Sequence, residues 1–189
     1  MTTISRSVAK VEPTTEPLSL TEAKKHLEIT PSDDVHDAEI RRLIVAAREV
    51  WEHDTQSLTT SRTVIEKLDS WPDDCWRFYY RPVVSLTSVS YYDSANASQT
   101  LSSSVYSLDA SNRKLLLAVS QTYPAIESRW DAVTVTYVAG QSVVSEIAKQ
   151  AMKLQIDVMF ELKGLTKEKD ACMKAYENLV MRYQRASYP

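Results

Sequence analysis

The sequence predicts an α+β protein: mainly a helical bundle, two helices before and two after an inserted antiparallel β-hairpin region. Three observations predict it. Apolar residues recur at helical spacing from Val35 to Thr55 and again from Val144 to Lys163. Between these stretches, short alternating runs rich in Val, Thr and Tyr are separated by polar turns, the pattern of antiparallel hairpins and not of βαβ units. The chain has only two glycines, Gly140 and Gly164, and these stand at the end of the β region and the end of the third helical stretch.

Met1 to Pro17 is polar, holds prolines and reads as an extended arm. Ser19-Leu20-Thr21-Glu22 has the form of a capping box, in which the serine hydroxyl and the glutamate carboxylate satisfy each other's backbone amides. A short helix is expected from about Leu20 to Glu28, with Leu20, Ala23 and Leu27 on one face and Pro31 barring continuation. Asp33, Asp34 and Asp37 crowd the start of the next helix, where the helix dipole favours negative charge. Ile40, Leu43, Ile44, Ala47, Val50 and Trp51 then form its apolar face.

Strands are expected at Arg62–Leu68, Trp76–Tyr80, Leu86–Tyr92, Gln99–Leu101, Val105–Leu108, Leu115–Val119 and Trp130–Ala139. Trp71-Pro72-Asp73-Asp74 and Asp93-Ser94-Ala95-Asn96 read as turns. After Gly140, Ser142 or Ser145 can cap a helix whose stripe is Ile147, Ala151, Leu154, Val158 and Leu162, widened by Met152, Ile156, Met159 and Phe160. Gly164 suits a left-handed C-terminal cap, and Thr166 can open a last helix running to about Arg185, aligned on Cys172, Ala175, Tyr176, Leu179 and Tyr183.

Composition excludes several chemistries. Two glycines cannot build a phosphate-cradling loop or a dinucleotide fingerprint, which need several close together, nor the Gly-x-Ser-x-Gly nucleophile elbow. Cys75 and Cys172 are too few for a structural zinc site or a disulfide scaffold and suit a reducing cytoplasm. His26, His36 and His53 lack the i, i+4 spacing of a helical zinc site and read as surface or helix-flank residues. The net charge of −3 offers no broad basic surface for nucleic acid. No stretch approaches the roughly 20 apolar residues of a membrane span, and Met1 to Lys10 lacks the apolar run of a signal peptide. No motif marks a catalytic, cofactor or metal site, so the expectation is a protein that is not an enzyme.

Two features point to contacts. Trp71, Trp76, Phe78, Tyr79, Tyr80, Tyr91 and Tyr92 concentrate in the β region, and adjacent aromatics on a strand face opposite ways. Their outer members are read either as cross-strand pairs within the domain or as an interface. Charge is also uneven: seven acidic residues oppose three basic ones from Pro31 to Asp54, whereas six basic oppose three acidic from Lys163 to Arg185. Such asymmetry reads either as two solvated helix faces or as complementary ends of identical copies.

The stretch Pro17-Leu18-Ser19-Leu20-Thr21-Glu22-Ala23-Lys24-Lys25-His26-Leu27, then Asp33-Asp34, Ile40 to Glu49 and Trp51-Glu52, resembles the head–tail connector proteins of tailed phages. Arg81-Pro82-Val83 with Leu86 to Tyr91, and Val133 to Gly140 before a long helix, continue the resemblance, which spans Pro17 to Leu162. The chain departs from the family pattern in having Ser142-Val143-Val144-Ser145 where prolines usually follow the glycine, and in a longer C-terminal helix.

The resemblance implies an arm (1–17), a connector core (18–163, with the β insertion at about 61–139) and a C-terminal helix and tail (164–189). It also implies an adaptor in the virion neck, assembled in the bacterial host cytoplasm: a homo-oligomeric ring of about twelve copies. That ring would dock on the portal, meet a stopper or tail protein, and pass DNA without reading its sequence. A soluble binding module or a tail-completion protein without a portal role is the alternative. Within that frame the aromatic-basic tail, Arg182, Tyr183, Arg185 and Tyr188, is the expected portal contact. Asp33, Asp34, Asp37, Asp73 and Asp74 are the expected channel lining, since like charge keeps DNA from sticking.

Overall fold

The computed structural model describes residues 5–73, 75–111, 113–160 and 166–186, the last with side chains from Asp170 to Arg185. The elements are β1 (Arg6–Lys10), α1 (Leu20–His26), α2 (Asp37–Thr55), β2 (Arg62–Leu68), β3 (Cys75–Arg77), β4 (Val83–Tyr92), β5 (Ser98–Thr100), β6 (Tyr106–Asp109), β7 (Lys114–Leu117), β8 (Val133–Ala139), α3 (Glu146–Phe160) and α4 (Thr166–Ala186). They fall into two compact units. One holds Met1–Pro13 with Ser61–Gly140, and the other Thr14–Thr60 with Gln141–Pro189.

The expectation of a mainly helical bundle carrying a hairpin insertion is corrected. The chain is a mixed α+β fold in which the strands form two antiparallel sheets, one ordered β1-β2-β8-β4-β5 and one ordered β3-β7-β6. The reason lies in β2 and β8, which bury every second residue over seven positions. Val64 and Leu68 on β2, with Val133, Val135, Tyr137 and Ala139 on β8, are 0–2% exposed and give the sheets a core of their own. The central pairs β2–β8 and β8–β4 join segments far apart in sequence. Only β4–β5 and β6–β7 are local hairpins. Arg6–Lys10, read from sequence as part of an extended arm, forms β1 against β2 along the sheet edge.

At the centre of this unit sits Glu66, fully buried on β2. Its Oε1 accepts from the Tyr137 hydroxyl (2.5 Å) and the Tyr79 amide (2.7 Å), and its Oε2 accepts from the Trp76 indole (3.1 Å). Arg6 on β1 supplies the compensating charge at 3.7 Å. The Tyr137 hydroxyl in turn accepts from the Tyr80 amide at 3.1 Å. Burial, then the Glu66 charge, pushes the Tyr137 phenol far above its ordinary range, so it stays a donor. One carboxylate thus ties β2, β8 and the segment that follows β3. The aromatic residues of the region are mostly spent inside it: Phe78 packs on Tyr137, and Trp71 stacks on Tyr123 at 4.4 Å. The exception is Trp130. The expected strand Trp130–Ala139 begins only at Val133, leaving Trp130 in the preceding loop, 78% exposed.

The helical unit begins as read. Ser19 and Glu22 form the reciprocal capping box. The Ser19 amide, then its hydroxyl, holds the Glu22 carboxyl down to about 2 from its ordinary 4.5. α2 starts two residues later than expected, because the Asp33 carboxylate accepts the Val35 amide at 3.2 Å and keeps that residue in a turn. It stops where Gln56 takes a left-handed conformation. Of the two candidate caps for α3, Ser145 serves, its hydroxyl accepting the Ile147 amide at 3.2 Å. The α3 stripe is rotated from the expected one. Ala148, Ala151, Met152, Gln155 and Ile156 are buried, while Ile147 is 44% exposed. α3 packs against α1, α2 and α4 together, so its buried arc is wider than one stripe and centres on Met152 and Ile156. The expected caps at Gly164 and Thr166 lie outside the described side chains.

Two predictions follow from these networks. Glu66→Ala strands two buried donors and one part-buried donor at roughly 1–3 kcal/mol each, less whatever entering water recovers. A loss of about 3 kcal/mol or more is expected, read as a lower urea midpoint, with Glu66→Gln milder. Glu22 is held deprotonated in the folded chain, so the unfolded chain takes up its proton first as pH falls. Its stabilising share is present above about 4.5 and lost as pH falls towards about 2. Amide exchange across α1 should accelerate over that window, and Glu22→Gln should remove the pH dependence.

Candidate functional site

Among the described residues, no three His, Cys, Asp or Glu side chains gather as metal ligands would. His26 meets Asp157 at 2.8 Å, His53 meets Asp54 at 3.2 Å, and His36 lies edge-on to Phe160. The buried charges are instead structural. Arg48, 1% exposed on α2, donates to Glu16 at 2.8 Å and to Glu52 at 3.3 Å. Glu52, fully buried, accepts from the Thr59 amide and hydroxyl at 3.1 and 2.8 Å. This network closes the loop after α2 onto the helix that precedes it.

The acidic residues expected to line a channel do not act alike. Asp33 and Asp34 are exposed in the turn before α2. Asp37, at the first position of α2, is paired with the Lys24 ammonium at 2.5 Å, and that lysine is itself 3% exposed. The pairing offsets the Asp37 charge and leaves Asp33 and Asp34 as the free negative charges of the cluster. Asp73 is exposed in the other unit, in the turn before β3, and Asp74 lies outside the described residues.

The expected portal contacts also divide. Arg182 and Arg185 are exposed near the end of α4. Tyr183 is turned inward: its ring packs edge-on against Trp51 at 5.0 Å, and its hydroxyl meets Ser57 at 2.8 Å and accepts from Gln141 at 2.6 Å. Tyr188 lies outside the described residues. Tyr176, one face with Tyr183, donates its hydroxyl to Asp54 at 2.7 Å, and Gln184 donates to the Asp54 carbonyl at 2.8 Å. Burial, then the Asp54 bond, pushes the Tyr176 phenol well above its ordinary range. α4 is therefore pinned to the C-terminal end of α2, and its opposite face, Ala171, Lys174, Asn178, Met181, Arg182 and Arg185, is exposed.

No protein-family model matches the chain, and no curated protein matches it. Solved structures do. A chain from the neck of an empty gene transfer agent (GTA) particle, computed with C6 symmetry, superposes with a TM-score of 0.73 at 19% identity, covering 94% of this chain and 95% of that one. The chain shares its fold with that neck chain. A chain from the virion of the native particle gives a TM-score of 0.69 at 19% identity, over 94% of both chains. One from the native neck computed with C12 symmetry gives 0.66 at 17% identity, over 90% of this chain and 94% of that one. This likeness supports the resemblance to head–tail connectors read from Pro17 to Leu162.

The sequence placed Tyr183 both on the stripe with Tyr176 and among the portal contacts, and the structure turns it inward with the stripe; the exposure of Trp130 was missed. Tyr176→Phe, which removes the bond to Asp54, is expected to cost about 1 kcal/mol, or roughly 2–4 °C in Tm for a chain of this size. Amide exchange should rise in α4 before it rises in β2 or β8.

Proposed function

We propose that the chain is a head–tail connector subunit of a phage-like particle: a structural adaptor, not an enzyme, that forms a ring in the virion neck. In this reading the ring docks on the portal, joins head to tail and leaves a channel for DNA. The observation that carries it is the likeness over 94% of the chain to a chain of a virion neck, at a TM-score of 0.73. Neck reconstructions with C6 and C12 symmetry support a closed ring of sixfold or twelvefold order.

The exposed end of α4 is the portal contact, through Arg182 and Arg185, with Tyr188 beyond them in the sequence. Asp33, Asp34 and Asp73 are the channel-facing charges, with Asp74 beside the last. Asp37 contributes less than its neighbours, because Lys24 compensates it. Work of this kind rests on interface formation, where charge sets specificity and association rate and apolar burial sets lifetime.

Electron microscopy of the particle tests the assignment. Density for this chain as a ring between head and tail is expected, and its absence from the neck overturns the reading. The portal contact is tested by Arg182→Glu with Arg185→Glu, not by truncation after Val180, since truncation would also remove Tyr183 from its seat on Trp51. Binding to purified portal rings should fall at least about tenfold, equivalent to about 1.4 kcal/mol, with an unchanged melting temperature. Undiminished binding would place the portal contact elsewhere.

A further inference from the structure

Trp130 is the most exposed Phe, Tyr or Trp side chain among the described residues, at 78%, and both its neighbours are bonded within the unit. Its neighbour Arg129 donates to Asp131 at 2.8 Å and to Asn96 at 2.9 Å, and its guanidinium lies 3.8 Å from the Tyr92 ring centroid. Asp131 also meets Lys67 at 3.5 Å. Two shallow grooves, of about 480 and 510 Å³, meet at Ser128, Arg129 and Trp130. Asp69 lines the first, and Glu127 and Asp131 line the second. Arg129 and Asp131 offset one another, and the Glu127 carboxylate makes no bond among the described residues, so Glu127 and Asp69 carry the negative charge of the rim. The indole thus stands on an acidic rim. An exposed aromatic ring beside the carboxylates of Glu127 and Asp69 fits a partner that offers apolar surface beside cations.

The outward face of the other sheet offers that. Arg77 on β3 stands directly opposite Lys114 on β7, and Cys75 opposite Leu116. Trp76 and Leu115 point the other way, into the core. Two like charges opposite one another on antiparallel strands repel. Neither Arg77 nor Lys114 forms an ion pair among the described residues, and Leu116 beside them is 37% exposed. This patch shares no residue with the Trp130 grooves. A closed ring of identical subunits with a single rotation axis requires such a heterologous pair: two different, complementary patches on each copy.

We propose that Trp130 and its acidic rim on one copy dock onto Leu116, Arg77 and Lys114 of the adjacent copy, forming the lateral contact of the ring. The inference rests on the ring reading of the preceding subsection. Trp130 covers Leu116 and lies against the cations, while Glu127 and Asp69 face Arg77 and Lys114.

The test supplies the full chain, as wild type, Trp130→Ala, Glu127→Arg, Arg77→Glu or the double variant Glu127→Arg with Arg77→Glu, during particle assembly. Copies per purified particle are counted by quantitative mass spectrometry, and thermal melting of each variant verifies the fold. Each single variant should be incorporated at least about tenfold less than wild type. The double variant, which swaps the two charges, should recover most of the wild-type level. If the single variants are incorporated like wild type, the lateral contact is wrong and the ring reading stands. If the single variants are lost and the double variant does not recover, Trp130 meets a different protein, and the inference falls. If wild type itself is absent from the neck, the ring reading falls and takes the contact with it.

Discussion

A single buried carboxylate organises the β unit. Burying an ionised glutamate is unfavourable unless each oxygen is satisfied, and Glu66 is satisfied only when distant parts of the chain arrive together: Tyr137 from β8, Trp76 from β3, the Tyr79 amide from the segment after it, and Arg6 from β1. No subset of these serves. The same network that costs desolvation in an incomplete structure specifies one arrangement in the complete one, and it fixes the register of β2 against β8, where a slip of one residue would turn Glu66 out to the opposite face. The Trp130 loop enters β8 directly, so its position follows from that register.

The helical unit uses the same strategy with different residues. Arg48 and Glu52, one turn apart on α2, are buried and mutually paired, and they hold the segments at Glu16 and Thr59. Asp54 and Ser57 then hold α4 through Tyr176 and Tyr183. In both units these buried polar groups are spent on packing.

What was legible in the sequence was local or periodic. The Ser19–Glu22 capping box depends on residues three apart, α2 on its recurring apolar face, and β2 and β8 on strict alternation. What was hidden depended on partners far along the chain. Glu66, Arg48 and Glu52 look like solvent-facing residues until the groups that compensate them are in place. β1 looked like part of an arm because the strand it joins lies more than fifty residues away. Tyr183 looked like a free contact because Ser57 and Trp51 are remote in sequence. The overall class was misjudged for the same reason: alternation announced strands but not that β2, β8 and β4 would gather into a sheet with its own core. Of the candidate contacts, the acidic turn was readable as charge, while the neutralisation of Asp37 by Lys24 was not.

Both units are discontinuous, and this bears on how the protein is made. Chain emerging from a ribosome reaches Gly140 with every strand of the β unit already present, since that unit uses only Met1–Pro13 and Ser61–Gly140. The helical unit cannot close then, because α3 and α4 supply Met152, Ile156 and Tyr176 to its core. During that interval α1 and α2 wait with an apolar face uncovered, a period in which chaperones or premature association would compete. The segment that ends the wait is α4, the same element that carries Arg182 and Arg185. A nascent chain therefore completes the helical core only once α3 and α4 have been made, after every strand of the β unit is present.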